Sequence, residues 1–126
     1  MKDTKNIVEE FIKHSKITEE TQLTGDYKKG NKSHDLLLAI RDQLKEEPEL
    51  AKEVFDELFL NENPYLLYVC SVYAIVLDYR RDEALKLLEE IAGMGIKLTS
   101  FHAEITLELY ESGELFELHG ISKKDE

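Results

Sequence analysis

A chain of 126 residues, 42% hydrophobic and 34% charged, is long enough to bury a core, and one domain over residues 1–120 with a frayed tail at 121–126 is expected. Its single cysteine, Cys70, excludes an internal disulfide and suits a reducing compartment, and MKDTKNIVEEF lacks the apolar core of a signal peptide, so a cytoplasmic location is expected. The net charge of −11 is uneven, +1 over residues 1–45 and −12 over 46–126, which disfavours nucleic acid and anionic membranes and favours basic partners.

Helix 1 is expected from near Thr4, because Ile7, Val8, Phe11 and Ile12 recur at helical spacing, and it can persist to Leu23 before Gly25 ends it. Asp26 is the expected cap of helix 2, which runs to about Glu46 with Tyr27, His34, Leu37, Ile40 and Leu44 on one face. Gly30 costs that helix about 1 kcal/mol relative to alanine, so a later start near Ser33 is the alternative. Pro48 stops helix 2 and can open helix 3, Glu49 to Leu60, whose stripe is Leu50, Val54, Phe55, Leu58 and Phe59.

The run from Tyr65 to Leu77 is broken by one polar residue, Ser71. As a helix it spans about 20 Å, against about 30 Å of membrane hydrocarbon, so it is not a membrane span. Asn63-Pro64 is a helix entrance, and the length exceeds a usual strand. A helix is therefore favoured over a buried strand, and one so apolar must be covered on nearly every side. Helix 5 follows as RRDEALKLLEEIAG, with Ala84, Leu87, Leu88 and Ile91 inward and an Asp82–Lys86 surface pair. Helix 6 is SFHAEITLELYES, capped by Thr99 or Ser100, ended by Gly113, with Phe101, Ala103, Ile105, Leu107 and Tyr110 as its apolar contacts. Short links favour hairpins 1–2, 3–4 and 5–6. The expected fold is all-α: three stacked antiparallel helical hairpins, an α-solenoid of the HEAT or armadillo kind, with a non-repeating six-helix bundle as the alternative.

No reaction chemistry is legible. His14, His34, His102 and His119 lack metal-finger spacing from one another or from Cys70. His102-Ala103-Glu104 matches half of a zinc deaminase pattern whose P-C-x-x-C half is missing. Cys70 reads as a small buried hydrophobe, and Ser71 as bonded to a carbonyl one turn back. Gly93-Met94-Gly95 is a helix stop rather than a phosphate loop, and the Lys28, Lys29, Lys32 cluster lacks interleaved aromatics beyond Tyr27. No cofactor and no metal are expected. One feature does suggest binding: Glu104, Glu108 and Glu111 fall at i, i+4 and i+7, one face of helix 6. Asp78, Asp82 and the tyrosines Tyr65, Tyr68 and Tyr73 could extend that row into a surface for a basic protein ligand.

Three further stretches are GDYKKGNKSHD (Gly25–Asp35), NENPYLLYVCSVYA in the place of an N-P-x-V-R-x-x-A-A helix, and SFHAEITLELYESGEL (Ser100–Leu115). Together they resemble a bacterial domain family of unknown function with an armadillo-like helical fold. The resemblance covers about residues 5 to 116. Gly30 stands where the pattern prefers alanine, and Leu67–Tyr68 stand where it has valine-arginine, so a buried arginine ladder is not implied. The resemblance implies a fold and no catalytic residues. Small acidic helical proteins of this kind are also similar to bacterial immunity proteins, which bind and block a toxin. The expectation is thus a non-enzymatic immunity protein that covers a basic toxin domain, such as a nuclease, through Tyr65, Tyr68, Asp78, Asp82, Glu104, Glu108 and Glu111. The alternative is an adaptor or scaffold of an endogenous complex, and an enzyme would need a cleft with shifted titratable groups.

Overall fold

The computed structural model describes residues 4–120, and the expected frayed tail at 121–126 lies outside them. The described chain is all-α. Its helices are α1 (Thr4–Thr24), α2 (Tyr27–Glu46), α3 (Pro48–Leu58), α4 (Pro64–Val76), α5 (Arg81–Ala92), α6 (Lys97–Ser112) and α7 (Glu114–Leu118). That is seven helices where six were expected, the addition being one turn and a half after Gly113. The chain divides into two compact units, Met1–Leu66 and Leu67–Glu126.

In the first unit, α1 packs on α2, and α3 lies against both. The expected pair of α1 and α2 is thus present, with α3 packed on both members. Gly25 takes φ +77°, a left-handed turn open to glycine, and closes α1. The Asp26 side chain then accepts from the Lys29 N–H at 3.2 Å, as a cap should. Phe11, Val54 and Phe55 are fully buried, and Leu37, Leu44 and Leu58 nearly so. Each such side chain contributes about 1.5–3 kcal/mol by leaving water.

The inner face of α2 differs from the expected one. Leu37 and Leu44 are inside, but Tyr27 is 80% exposed, His34 is exposed, and Ser33 is buried in their place. Ser33 is there because it answers a buried histidine: His14 Nδ1 lies 3.0 Å from Ser33 Oγ, and its Nε2 lies 3.2 Å from Glu10 Oε1. A buried imidazole without such partners would be costly.

Gly30 does not delay α2, which begins at Tyr27. The glycine serves helix contact: a Cβ at position 30 would stand 2.5 Å from Thr21 Oγ1 and 3.2 Å from Thr21 Cβ. Thr21 is held by its own bond to the Thr18 carbonyl at 3.2 Å. Close approach of α1 and α2 therefore offsets the helix cost of glycine.

The Tyr65–Leu77 run is a helix and not a strand. Asn61 Oδ1 accepts from the Asn63 N–H, and Asn63 Oδ1 accepts from the N–H groups of Tyr65 and Leu66 at 2.9 and 3.1 Å. Pro64 supplies the first helical position without an N–H to satisfy. From Val69 to Val76 every residue is buried. Cys70 is among them, as expected for a small hydrophobe. Ser71 departs from expectation: its buried hydroxyl has no hydrogen-bond partner, neither a carbonyl one turn back nor any other. Such an orphan costs about 1–3 kcal/mol.

In the second unit α5 packs on α6, and α7 on α6. The expected inner face of α5 holds for Ala84, Leu88 and Ile91, with Leu87 half-buried. The expected Asp82–Lys86 pair is not formed. The ion pairs at this end join Arg80 to Glu83 at 2.7 Å and Arg81 to Asp78 at 3.3 Å. Helix α6 starts at Lys97, earlier than the expected caps Thr99 and Ser100. Both are buried inside the first turns. Ser100 Oγ accepts from the Ile96 N–H at 2.8 Å and donates to the Ile91 carbonyl at 2.7 Å, so it ties the start of α6 to the end of α5.

Two stability outcomes test this packing. Gly30→Ala should destabilise by about 1 kcal/mol despite its better helix propensity, because overpacking costs more. In a Thr21→Ala background the loss should shrink by at least about 0.5 kcal/mol; additive urea midpoints would show that the close approach is not there. Ser71→Ala should raise stability by about 1 kcal/mol, since it removes an unpaired buried hydroxyl and adds helix propensity. A lower unfolding midpoint would show that the hydroxyl has a partner.

Candidate interaction surface

The buried face of α6 is made by Thr99, Ser100, Ala103 and Thr106, at helical spacing. It is small and hydroxylated rather than large and greasy. Tyr68 is hydrogen-bonded to the Thr106 side chain, and its ring lies 6.1 Å from that of His102. With that face inward, the opposite face of α6 must carry Phe101, Glu104, Glu108 and Glu111. All four are exposed, Phe101 by 55%. Phe101 is therefore a correction: it was expected as a core contact and stands outward. Ile105, Leu107 and Tyr110 are only half-buried on the flanks.

The three glutamates form no ion pair with any described residue. Their spacing keeps like charges one turn apart, which costs an isolated helix about 0.2–0.5 kcal/mol per pair. Residues 94–101 bring further apolar surface to the start of the same helix: Met94 is 50%, Ile96 37% and Leu98 42% exposed. The helix's one lysine, Lys97, sits there with φ +24°.

The other expected contact residues have different surroundings. Tyr65 is 5% exposed, and its hydroxyl is shared with Thr18 Oγ1 at 3.0 Å and Gln22 Nε2 at 3.3 Å. It anchors the start of α4 inside the first unit and presents no ring to a ligand. Tyr73 is likewise buried, with its ring 5.9 Å from that of His119. Asp78 is exposed, but its carboxylate is engaged by Arg81. Arg81 also donates from Nε to the Ile75 carbonyl at 3.3 Å and lies 5.3 Å from the Phe116 ring centroid. That single guanidinium joins the end of α4, the link to α5 and α7, a role that nothing in its sequence context announces. Asp82 is exposed in the first turn of α5, where a carboxylate suits the helix dipole.

A cavity of about 300 Å³ opens in the first unit, lined in part by Thr18, Gln22, Asp26, Tyr27, His34 and Tyr65. Of these, Thr18 and Gln22 already bond to the Tyr65 hydroxyl. Among the described residues no group of three or more His, Cys, Asp or Glu is placed to hold a metal ion. No helix of the described residues is long and apolar enough to cross a membrane.

Burial pushes the Cys70 thiol far above its ordinary 9.0, with the charge of Arg80 drawing it partly back. A buried thiol that holds its proton matches the structural kind of cysteine rather than the exposed, low-pKa kind. Burial also raises the Tyr68 phenol above 10.0, against a lowering by the Thr106 hydrogen bond.

Comparison with protein families, curated proteins and solved structures finds no match.

Both raised groups keep their protons in the folded state after the unfolded chain has lost them. Their stabilising contribution is complete below pH 9.0 for Cys70 and 10.0 for Tyr68, and is lost as pH rises past those values. Unfolding free energy should fall above pH 9 with a slope approaching about 1.4 kcal/mol per pH unit per group. Cys70→Ala should flatten the first part of that fall, whatever its effect on absolute stability. An unchanged slope between pH 9 and 10 would show the thiol to be solvated.

Proposed function

We propose that this chain is a non-enzymatic protein-binding module, and specifically an immunity protein that covers the positively charged substrate site of a basic toxin domain, such as a nuclease. The observation that carries the reading is the row Glu104, Glu108 and Glu111: three exposed carboxylates in line on α6, with no cation of the described chain paired to them. The net charge of −12 over residues 46–126 supports it. Such a field attracts a basic surface and can raise association rates by about 10–10³-fold at low salt. Asp82, exposed on α5, extends the acidic surface in the proposal, whereas Tyr68 is bonded to Thr106 on the inward face of α6 and supplies no contact to the row. Tyr65 and Asp78 take no direct part, because one is buried and the other is paired internally. The HEAT- or armadillo-like stack belongs to the same proposal and is supported by the neighbouring pairs α1–α2 and α5–α6.

The test is affinity purification from the native host, followed by titration of the recovered partner. One dominant basic protein is expected, toxic to a host that lacks this chain. Replacing Glu104, Glu108 and Glu111 together by lysine should weaken its binding by about tenfold or more and flatten the salt dependence. The folded state should change by less than about 0.5 kcal/mol, since all three positions are exposed. An acidic partner, or a basic one indifferent to the triple replacement, would overturn the reading.

A further inference from the structure

Of the ten large hydrophobic side chains that the described surface exposes, four fall within eight consecutive residues: Met94, Ile96, Leu98 and Phe101. Leu98 and Phe101 are three apart on α6 and therefore neighbours on its surface. Scattered exposed apolar residues need no explanation, but a cluster rimmed by charge is the usual form of an interface core. Phe101 leads it. Its helical position aligns with Glu104, Glu108 and Glu111, so one face of α6 runs from an apolar head to an acidic row over about 15 Å.

We infer that this head is the anchor site of the proposed interface. Its occupant is a basic polypeptide segment of a different protein, which sets a large apolar side chain on Phe101 beside lysines or arginines that meet the carboxylates. A second copy of this chain is the wrong occupant on charge. A symmetric contact would bring a second acidic row against the first, and each copy carries a net −11. A neutral apolar segment would fill the head and leave the carboxylate row unpaired. A basic segment without an apolar side chain would leave Phe101 in water. The inference rests on the binding function proposed above and adds to it the shape of the ligand. The apolar anchor supplies affinity by slowing release, and the acidic row supplies steering and register.

The experiment selects a displayed library of random dodecapeptides on the full chain and measures the enriched peptides against three forms: wild type, Phe101→Ala, and the triple variant Glu104→Gln, Glu108→Gln, Glu111→Gln. The expected peptides combine an aromatic or long aliphatic residue with several lysines or arginines. Phe101→Ala should weaken them about tenfold or more without altering the salt dependence, and the triple variant should weaken them and flatten it. Every altered position is exposed, and circular dichroism with urea midpoints checks that each variant is folded. Basic peptides indifferent to Phe101→Ala would overturn the anchor while leaving the acidic-surface function standing. Peptides indifferent to both variants, or no enrichment, would overturn the site. A concentration-dependent dimer of the wild type that Phe101→Ala abolishes would overturn the choice of occupant in favour of a second copy.

Discussion

A helix without a polar face is the constraint from which the other features follow. Helix α4 has one aliphatic hydroxyl, Ser71, and one phenol, Tyr73, between Val69 and Val76, and every residue of that span is out of water. Such a helix cannot drift in register or rotate toward solvent without exposing several large side chains, each at about 1.5–3 kcal/mol. It also cannot begin just anywhere. Its free N–H groups would be buried orphans, and Asn63, with Asn61 behind it, satisfies them at the point where the apolar run starts. The far end is held by polar contacts too. Arg81 binds the Ile75 carbonyl and the Asp78 carboxylate, and the chain turns there through Asp78 and Arg80 at positive φ. The apolar interior supplies the driving force, and a few polar atoms at its ends set where the helix starts and stops.

The same division of labour recurs elsewhere. In the first unit the contact of α1 with α2 is close enough to need glycine at position 30 and a histidine–serine bond between His14 and Ser33. In the second, α6 turns small hydroxylated residues inward, and Ser100 fastens it to the end of α5. Small inward residues have a consequence for the outside. A helix has only so many faces, so when Thr99, Ser100, Ala103 and Thr106 go in, Phe101 and the three glutamates go out. The proposed interface is the back of a packing solution. Its rigidity comes from the contacts on the other face, which is the condition under which exposed charges hold a fixed pattern.

The acidic row illustrates how magnitudes separate fold from function. Three glutamates at one-turn spacing weaken α6 by tenths of a kcal/mol, far less than the buried side chains contribute. The fold tolerates them without needing them. Two of the internal ion pairs, by contrast, stand where the backbone changes direction: Arg81 with Asp78 at the end of α4, and Arg80 with Glu83 at the entrance to α5. Carboxylates that organise the chain have been given partners, and those of α6 have not.

Much of the secondary structure was legible from residue order alone. Asn63-Pro64, Pro48, Asp26, Gly25 and Gly113 are local signals, acting through their own backbone or the next turn, so helix entrances and exits at these points could be read without knowing the neighbours. The helical state of the Tyr65–Leu77 run was legible for the same reason, and so was the one-sided spacing of Glu104, Glu108 and Glu111. What only the tertiary structure decided is which face of each helix goes inward and what its polar atoms find there. Periodicity in α6 admits Phe101 as core or as surface, and the choice was made by the fit of Ser100 to the Ile91 carbonyl and of Thr106 to Tyr68. Tyr27 lost its place in the core to Ser33 because a buried histidine on another helix needed a hydroxyl. Tyr65 went inside because Thr18 and Gln22, more than forty residues earlier, could bind its oxygen. Partners distant in sequence leave no trace in local pattern, so hydrogen bonding between helices, rather than hydrophobicity along them, decided where the exposed surface lies.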